Sequence, residues 1–226
     1  MIVQRLQGLD GAREATGAAV IIDVFRAFTT AAFCVAAGAC EVVLVGDHEQ
    51  ALALKAADPT LFLTGEIGGR PIPGFDVGNS PSLIAGRDLG GRRVVQRTSS
   101  GTQCVVAAAA ASEIVLGSLV TAGATVRYLQ GRALVSLVAT DTVREDARED
   151  AREDAREDEA CAAYLEALLV HGVAPPPVIT LIDRPEGWPD WFPRRDAELA
   201  GEVDRFDFAL PVTREDGLLI ARPVFF

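Results

Sequence analysis

The chain has 226 residues, 49% of them apolar, and a formal net charge of −11. That content supplies the core of one sizeable domain, and an acidic chain lacks the basic patch of a nucleic-acid surface. The four cysteines form no CxxC pair, the apolar runs are broken by Arg26, Gly38 and Gly101, and no basic-then-apolar leader opens the chain; these argue against a disulfide framework, a membrane span and a secretory signal.

In chain order, short apolar runs alternate with longer alanine-rich segments. Strands are predicted over 19–24, 41–45, 61–64, 93–97, 114–117, 134–139, 178–182 and 218–221. Between them, helices are predicted over 29–39, 48–57, 81–85, 101–111 and 122–129, with a long one ending near Leu169. Strands that read as unbroken apolar runs are buried on both faces, as in a mostly parallel sheet covered by helices. The alternation predicts a single three-layer α/β/α domain over 1–226 with a mostly parallel or mixed sheet. Residues 144–158 are a low-complexity REDA repeat; Arg144 to Glu159 hold four Arg against five Glu and four Asp, so much of the acidity is local. The repeat reads as a solvated helical extension whose Glu-to-Arg neighbours at i,i+3 partly offset its like-charge stripes. Residues 184–195, with Trp188 and Trp191 among prolines, read as an irregular loop that either covers an edge of the core or rims a pocket.

Ligands of parallel α/β sheets bind beyond the carboxyl ends of the strands. After the first strand come Asp23, Arg26, Thr29 and Thr30; after the third, Glu66 and the turn-rich run through Asp76 and Asn79. After the fourth comes Thr98-Ser99-Ser100-Gly101-Thr102, and after the sixth Thr140-Asp141. Backbone amides at a helix start accept an anion readily, and Gly101 would let a ligand approach; a plain Ser/Thr cap is the competing reading. Asp23 ends an apolar strand, where a lone carboxylate is costly, so it is either paired with Arg26 or a ligand of a hard cation. Magnesium takes one or two carboxylates with waters and substrate phosphate, which suits Asp23, Glu66 and Asp76 in kind, with Arg26 as a bidentate phosphate partner. No GxxxxGK[ST] occurs, no cysteine is followed six positions on by arginine, Asp23 has no second aspartate two residues on, and neither His48 nor His171 ends a strand. P-loop, cysteine, aspartyl-phosphate and phosphohistidine chemistry are thereby set aside.

The segments "VIIDVFRAFTTAAFCVAAGA", "GEIGGRPIPGFDVGNSP", "RTSSGTQ" and "EDEACAAYLEALL" resemble, in order and spacing, the successive signatures of the 2-phosphosulfolactate phosphatase family, over roughly residues 18 to 170. The closing "FDFALPVTREDGLLIARPV" is similar to that family's C-terminal strand region. The resemblance implies a three-layer α/β/α, Mg²⁺-dependent phosphoric monoester hydrolase converting 2-phosphosulfolactate to sulfolactate, a step of coenzyme M biosynthesis. It implies a small anionic phosphorylated substrate; composition, charge and the lack of a leader or span in the sequence point to a cytoplasmic protein with no nucleic-acid or membrane partner, and a second copy of the chain is the candidate protein partner. By position, Asp23, Arg26, Glu66 and Asp76 are the implied catalytic residues, Asp23 and Glu66 the metal ligands. Arg26, Thr29, Thr30, Asn79, Thr98, Ser99, Ser100, Gly101 and Thr102 are the implied phosphate-binding set, with Glu157 and Asp158 opening the last signature. The REDA expansion precedes that signature, and Glu157-Asp158 is chosen among its Glu-Asp pairs because Ala160-Cys161-Ala162 follows directly. Ser99-Ser100 stands where many relatives carry Asn before the glycine. A non-catalytic phospho-ligand binder, or a phosphatase of another phosphorylated hydroxy acid, are the alternatives.

Overall fold

The computed structural model describes residues 1–140, 156–177 and 191–226. Asp141, the repeat up to residue 155, the strand expected at 178–182 and Trp188 lie outside the described residues.

Twelve strands are described: β1 (Ile2–Gln7), β2 (Ala18–Ile22), β3 (Glu41–Leu44), β4 (Phe62–Ile67), β5 (Arg70–Pro71), β6 (Val77–Gly78), β7 (Arg93–Arg97), β8 (Glu113–Gly117), β9 (Leu134–Ala139), β10 (Phe208–Glu215), β11 (Leu218–Ala221) and β12 (Val224–Phe225). The helices are α1 (Gly8–Glu14), α2 (Ala27–Ala36), α3 (His48–Ala57), α4 (Pro81–Ile84), α5 (Gly101–Ala107), α6 (Ala122–Tyr128), α7 (Arg156–His171) and α8 (Arg194–Ala200). The sheet order is β1-β9-β2-β8-β10-β11-β3-β7-β4-β5, with β12 on β10 and β6 on β4.

The sheet is mixed in a specific way. β1, β9, β2 and β8 form one parallel block and β3, β7 and β4 another. The β10–β11 hairpin joins them through three antiparallel pairings, so the two blocks run in nominally opposite directions. Adjacent strands turn by about 20–25°, and the five steps from β2 to β7 accumulate about 100–125°. That rotation swings the blocks away from antiparallel, and the carboxyl ends of β2, β4 and β7 meet around one site.

Helices cover both faces. On one, α1, α2 and α5 pack through Ala12, Phe28, Cys34 and Val105 on Ile21, Val42, Val94 and Leu116. On the other, α6 and α7 cover Val20, Ile22, Val115 and Leu137, and α3 covers Val43, Leu63 and Val95. β2 (AAVII) is buried at all five positions, as its unbroken apolar run requires. α2 (AFTTAAFCVA) is buried from Ala27 to Val35, because a helix apolar all round has to be covered on every side. Its first turn therefore stands in the interior at the end of β2. No described helix is long and apolar enough to cross a membrane.

Candidate functional site

Asp23 is the first polar residue to leave β2, at the point where the two helical layers meet. It is 5% exposed, and its Oδ1 accepts the Ala27 amide at the start of α2 at 2.8 Å. The Gly101 amide, at the start of α5, is a second donor. A Cβ on Gly101 would stand 2.7 Å from Asp23 Oδ2 and 2.9 Å from Ala27 Cβ. Glycine is what lets two helix starts close on one carboxylate.

Glu66, in β4, is gripped from the neighbouring turns. Its Oε1 accepts the Ser99 amide (2.5 Å), and its Oε2 accepts the Ser99 hydroxyl (3.1 Å) and the Gly69 amide (2.6 Å). A carboxylate offers about four acceptor positions, so about one remains on Glu66. Asp158, in the first turn of α7, reaches the same turn from the other layer: it accepts the Val24 amide at 2.6 Å and the Thr140 hydroxyl at 2.7 Å. Acidic residues in a helix's first turn suit its dipole.

Arg26, 4% exposed, immediately precedes α2 and pairs with Asp196 of α8 at 2.7 Å. It is the one buried cation among the described residues, whereas Asp23, Glu66, Glu157, Asp158 and Asp196 are all buried. The excess of buried acid has the expected consequence. Burial pushes the Asp23 carboxyl up to about 6, Glu66 adds to the rise, and the Ala27 and Gly101 amides and Arg26 oppose it. Burial, then the charges of Asp23 and Glu157, hold Asp158 well above the ordinary carboxylate range. Burial lowers the Arg26 guanidinium against the pull of Asp196, Glu66 and Asp23.

The remaining predicted residues divide into four groups. Thr29 donates to the Val24 carbonyl at 2.8 Å and braces the Asp23 turn, while the buried Thr30 hydroxyl has no hydrogen-bond partner among the described residues. Asn79 lies beside Gln96 (3.5 Å), whose amide donates to the Ala27 carbonyl at 2.7 Å. The Thr98–Thr102 turn is engaged differently from the sequence expectation. The Thr98 hydroxyl accepts the Thr102 amide, and the Thr102 hydroxyl accepts the Thr98 amide and donates to its carbonyl. With Ser99 on Glu66 and Gly101 on Asp23, the anions this turn holds here are the protein's own carboxylates. Asp76 stands apart: it is exposed, paired with Lys55 of α3, and accepts the Leu63 amide at 2.7 Å, on the sheet face that α3 covers.

Beside Ser99 and Ser100 opens a cleft of about 350 Å³, bounded by Gln103 on the same side and by Gln7, Leu9 and Asp10 of the β1–α1 corner. Thr140, expected at a strand's carboxyl end, donates to Asp158; two further contributors, Asp196 and Ser80, escaped the sequence reading because only tertiary packing brings them in. Among the described residues no three histidine, cysteine or carboxylate groups converge at metal-binding spacing.

The protein-family comparison matches the 2-phosphosulpholactate phosphatase model over residues 5–180. Relatives named "probable 2-phosphosulfolactate phosphatase" include one from Deinococcus radiodurans, 46% identical over 111 residues (49% of this chain, 46% of that protein). Another, from Bacillus subtilis, is 33% identical over 150 residues (66% of this chain, 63% of that protein), and a third, from Thermus thermophilus, is 42% identical over 109 residues (48% and 45%). The aligned stretch thus spans about half to just under two-thirds of these relatives' length. With four signatures, a family match over most of the chain and the acids of those signatures gathered at one strand end, the chain belongs to the 2-phosphosulpholactate phosphatase family.

Proposed function

We propose that the protein is a Mg²⁺-dependent phosphatase that hydrolyses 2-phosphosulfolactate to sulfolactate and phosphate. The observation that carries the reading is the imbalance around Asp23: among the described residues four buried acids, Asp23, Glu66, Asp158 and Asp196, share one buried cation, Arg26. Buried like charges are unfavourable unless a counter-charge joins them. Asp23 and Glu66 are hard oxygen donors with acceptor positions to spare, and magnesium is held by one or two carboxylates, its remaining positions going to water and phosphate. They would hold the ion, which when bound neutralises charge on the phosphoryl oxygens.

The chain's own residues do the rest. Arg26 would meet the equatorial oxygens, where negative charge accumulates during phosphoryl transfer, and its place at the cap of a buried helix makes it a pre-organised partner. Ser99 and Gly69 fix the Glu66 carboxylate, and Ala27 and Gly101 fix that of Asp23. Water supplies the oxygen that joins phosphorus; the P–O bond to the substrate's C2 oxygen breaks, its electrons go to that oxygen, and a proton from the water ends there.

The test is phosphate release from 2-phosphosulfolactate with and without Mg²⁺, beside a panel of other phosphorylated hydroxy acids. Mg²⁺-dependent turnover, highest on 2-phosphosulfolactate, is expected. A preference for another member would move the substrate assignment; no release from any would overturn the enzymatic reading.

A further inference from the structure

We propose that the 191–196 segment, beyond residue 180 where the family match ends, completes the catalytic site, with Asp196 as the positioning residue of Arg26. The inference rests on the reading of Arg26 as the phosphoryl partner. A guanidinium has five N–H donors, two of them on Nη1. Both Nη1 acceptors come from this segment: Asp196 Oδ2 at 2.7 Å and the Trp191 carbonyl at 2.9 Å. The Phe192 ring lies against the guanidinium, 4.1 Å from Arg26 Cζ to its centroid, and fixes the group's plane. Among the described residues Nε and Nη2 carry no hydrogen bond. What is left is the side-on fork of Nε and Nη2, the edge that binds two oxygens of a phosphoryl group at once.

Asp196 is built for this task. It is fully buried, and its other oxygen accepts the Ser80 hydroxyl (2.8 Å) and the Ser82 amide (3.0 Å), which tie it to α4. It also solves a problem of competition. Arg26 is close enough to Asp23 and Glu66 to feel both charges. Without a partner behind it, the guanidinium would turn onto one of them and withdraw an arginine and a carboxylate from the site together. Asp196 holds it back, leaving Asp23 and Glu66 to the cation. Trp191 seals the arrangement from the far side: a Cβ on Gly69, the residue whose amide holds Glu66, would stand 2.5 Å from the indole.

The experiment is a double-mutant cycle on the full chain, read by kcat on 2-phosphosulfolactate with Mg²⁺, by inorganic phosphate binding in calorimetry, and by thermal melts. Asp196→Asn is expected to lower kcat about 100-fold through misplacement of Arg26. It should also weaken phosphate binding about tenfold. In an Arg26→Lys background, Asp196→Asn should change neither quantity by more than about twofold, since the group it positions is gone. Equal losses in both backgrounds, or a lower melting temperature with phosphate binding intact, would overturn the proposal. Phe192→Leu keeps apolar bulk and spares the ion pair; it runs the same cycle where Asp196→Asn does not fold, and is held to the same non-additivity. Wild-type protein that binds phosphate through the Asp196–Arg26 pair yet releases none from 2-phosphosulfolactate would refute the functional reading alone. Wild-type protein that binds no phosphate would refute this one.

Discussion

Two regions of the molecule hold carboxylates and arginines in close contact, and they behave in opposite ways. At the amino ends of β3 and β7, Glu41 pairs with Arg93 and Arg222, and Arg222 grips Glu215 through two bonds of 2.6 and 2.9 Å. Charges match in number there, and Glu215 and Arg222 are half-exposed. Bonding to Arg222 and Thr213 draws the Glu215 carboxyl down to about 2. Around Asp23 the acids outnumber the cation and are buried, and the same chemical group is pushed up to about 6. Charge that is matched pair by pair is a structural device; unmatched charge out of water stays unfavourable until a ligand arrives. The sign of the shift separates them.

The comparison breaks first at Asp23. Asp23→Asn removes one of the charges proposed to hold Mg²⁺ without opening a cavity, and should cost several kcal/mol of transition-state stabilisation, about 10³-fold in kcat at saturating Mg²⁺. Turnover near that of wild type at limiting Mg²⁺ would place the metal elsewhere. A second readout needs no substrate. Between pH 3.8 and about 6 the unfolded Asp23 is ionised while the folded one still carries its proton. The folded state then binds more protons, so metal-free stability falls as pH rises through that window. Denaturant melts should show this slope in wild type and a smaller one in Asp23→Asn, and Mg²⁺ should stabilise wild type more at pH 8 than at pH 4.

Gly101→Ala is the next largest. The new methyl would sit 2.7 Å from Asp23 Oδ2 and 2.9 Å from the Ala27 methyl, between two helix starts with little room to part. Overpacking of that kind costs about 1–3 kcal/mol. Activity should fall further than stability, by about 100-fold, because the atom displaced first is the carboxylate. Full turnover with a lowered melting temperature would reduce Gly101 to a packing residue.

Much of the frame was legible in the sequence. β7, β9, β11 and α3 have the bounds that periodicity and punctuation predict, because each is a compact run between turn residues. β1 (IVQRLQ) escaped because a partly exposed edge strand mixes Arg and Gln into the run; β10 escaped the periodicity because Pro211 interrupts it, and only the resemblance of the closing segment marked it as strand. The opposed direction of the two blocks could not be read at all, since it depends on where the β10–β11 hairpin inserts, a long-range pairing. In the site, Asp23 and Glu66 stood out as acids closing apolar strands, and Asp158 as part of a signature. The Thr98–Thr102 cluster reads locally as either an anion cradle or a plain Ser/Thr cap, and in the structure Thr98 and Thr102 bond each other while Ser99 and Gly101 hold Glu66 and Asp23. Asp196 left no local trace, because its partner Arg26 is 170 residues away.

The smallest effect belongs to the other region and sharpens the contrast most. Glu215→Gln removes the anion from a two-bond pair with Arg222 in which both side chains are 43% exposed. Water screens such a pair and side-chain freedom offsets its attraction, so the melting temperature should fall by only about 2 °C despite the ideal geometry. Glu215 has its carboxyl lowered in the fold, so its contribution is complete above the unfolded value of 4.5 and is lost as pH falls toward about 2. That is the reverse of Asp23, whose penalty grows as pH rises. Melts of wild type and Glu215→Gln should therefore converge at low pH, and also at high salt, where screening removes the pair's remaining attraction. Phosphate release should not change, since neither Glu41, Arg222 nor Arg93 touches the Asp23 cluster. A fall in kcat with Glu215→Gln would mean that the two regions are coupled through the hairpin that joins the blocks, and that the balanced network belongs to the working site after all.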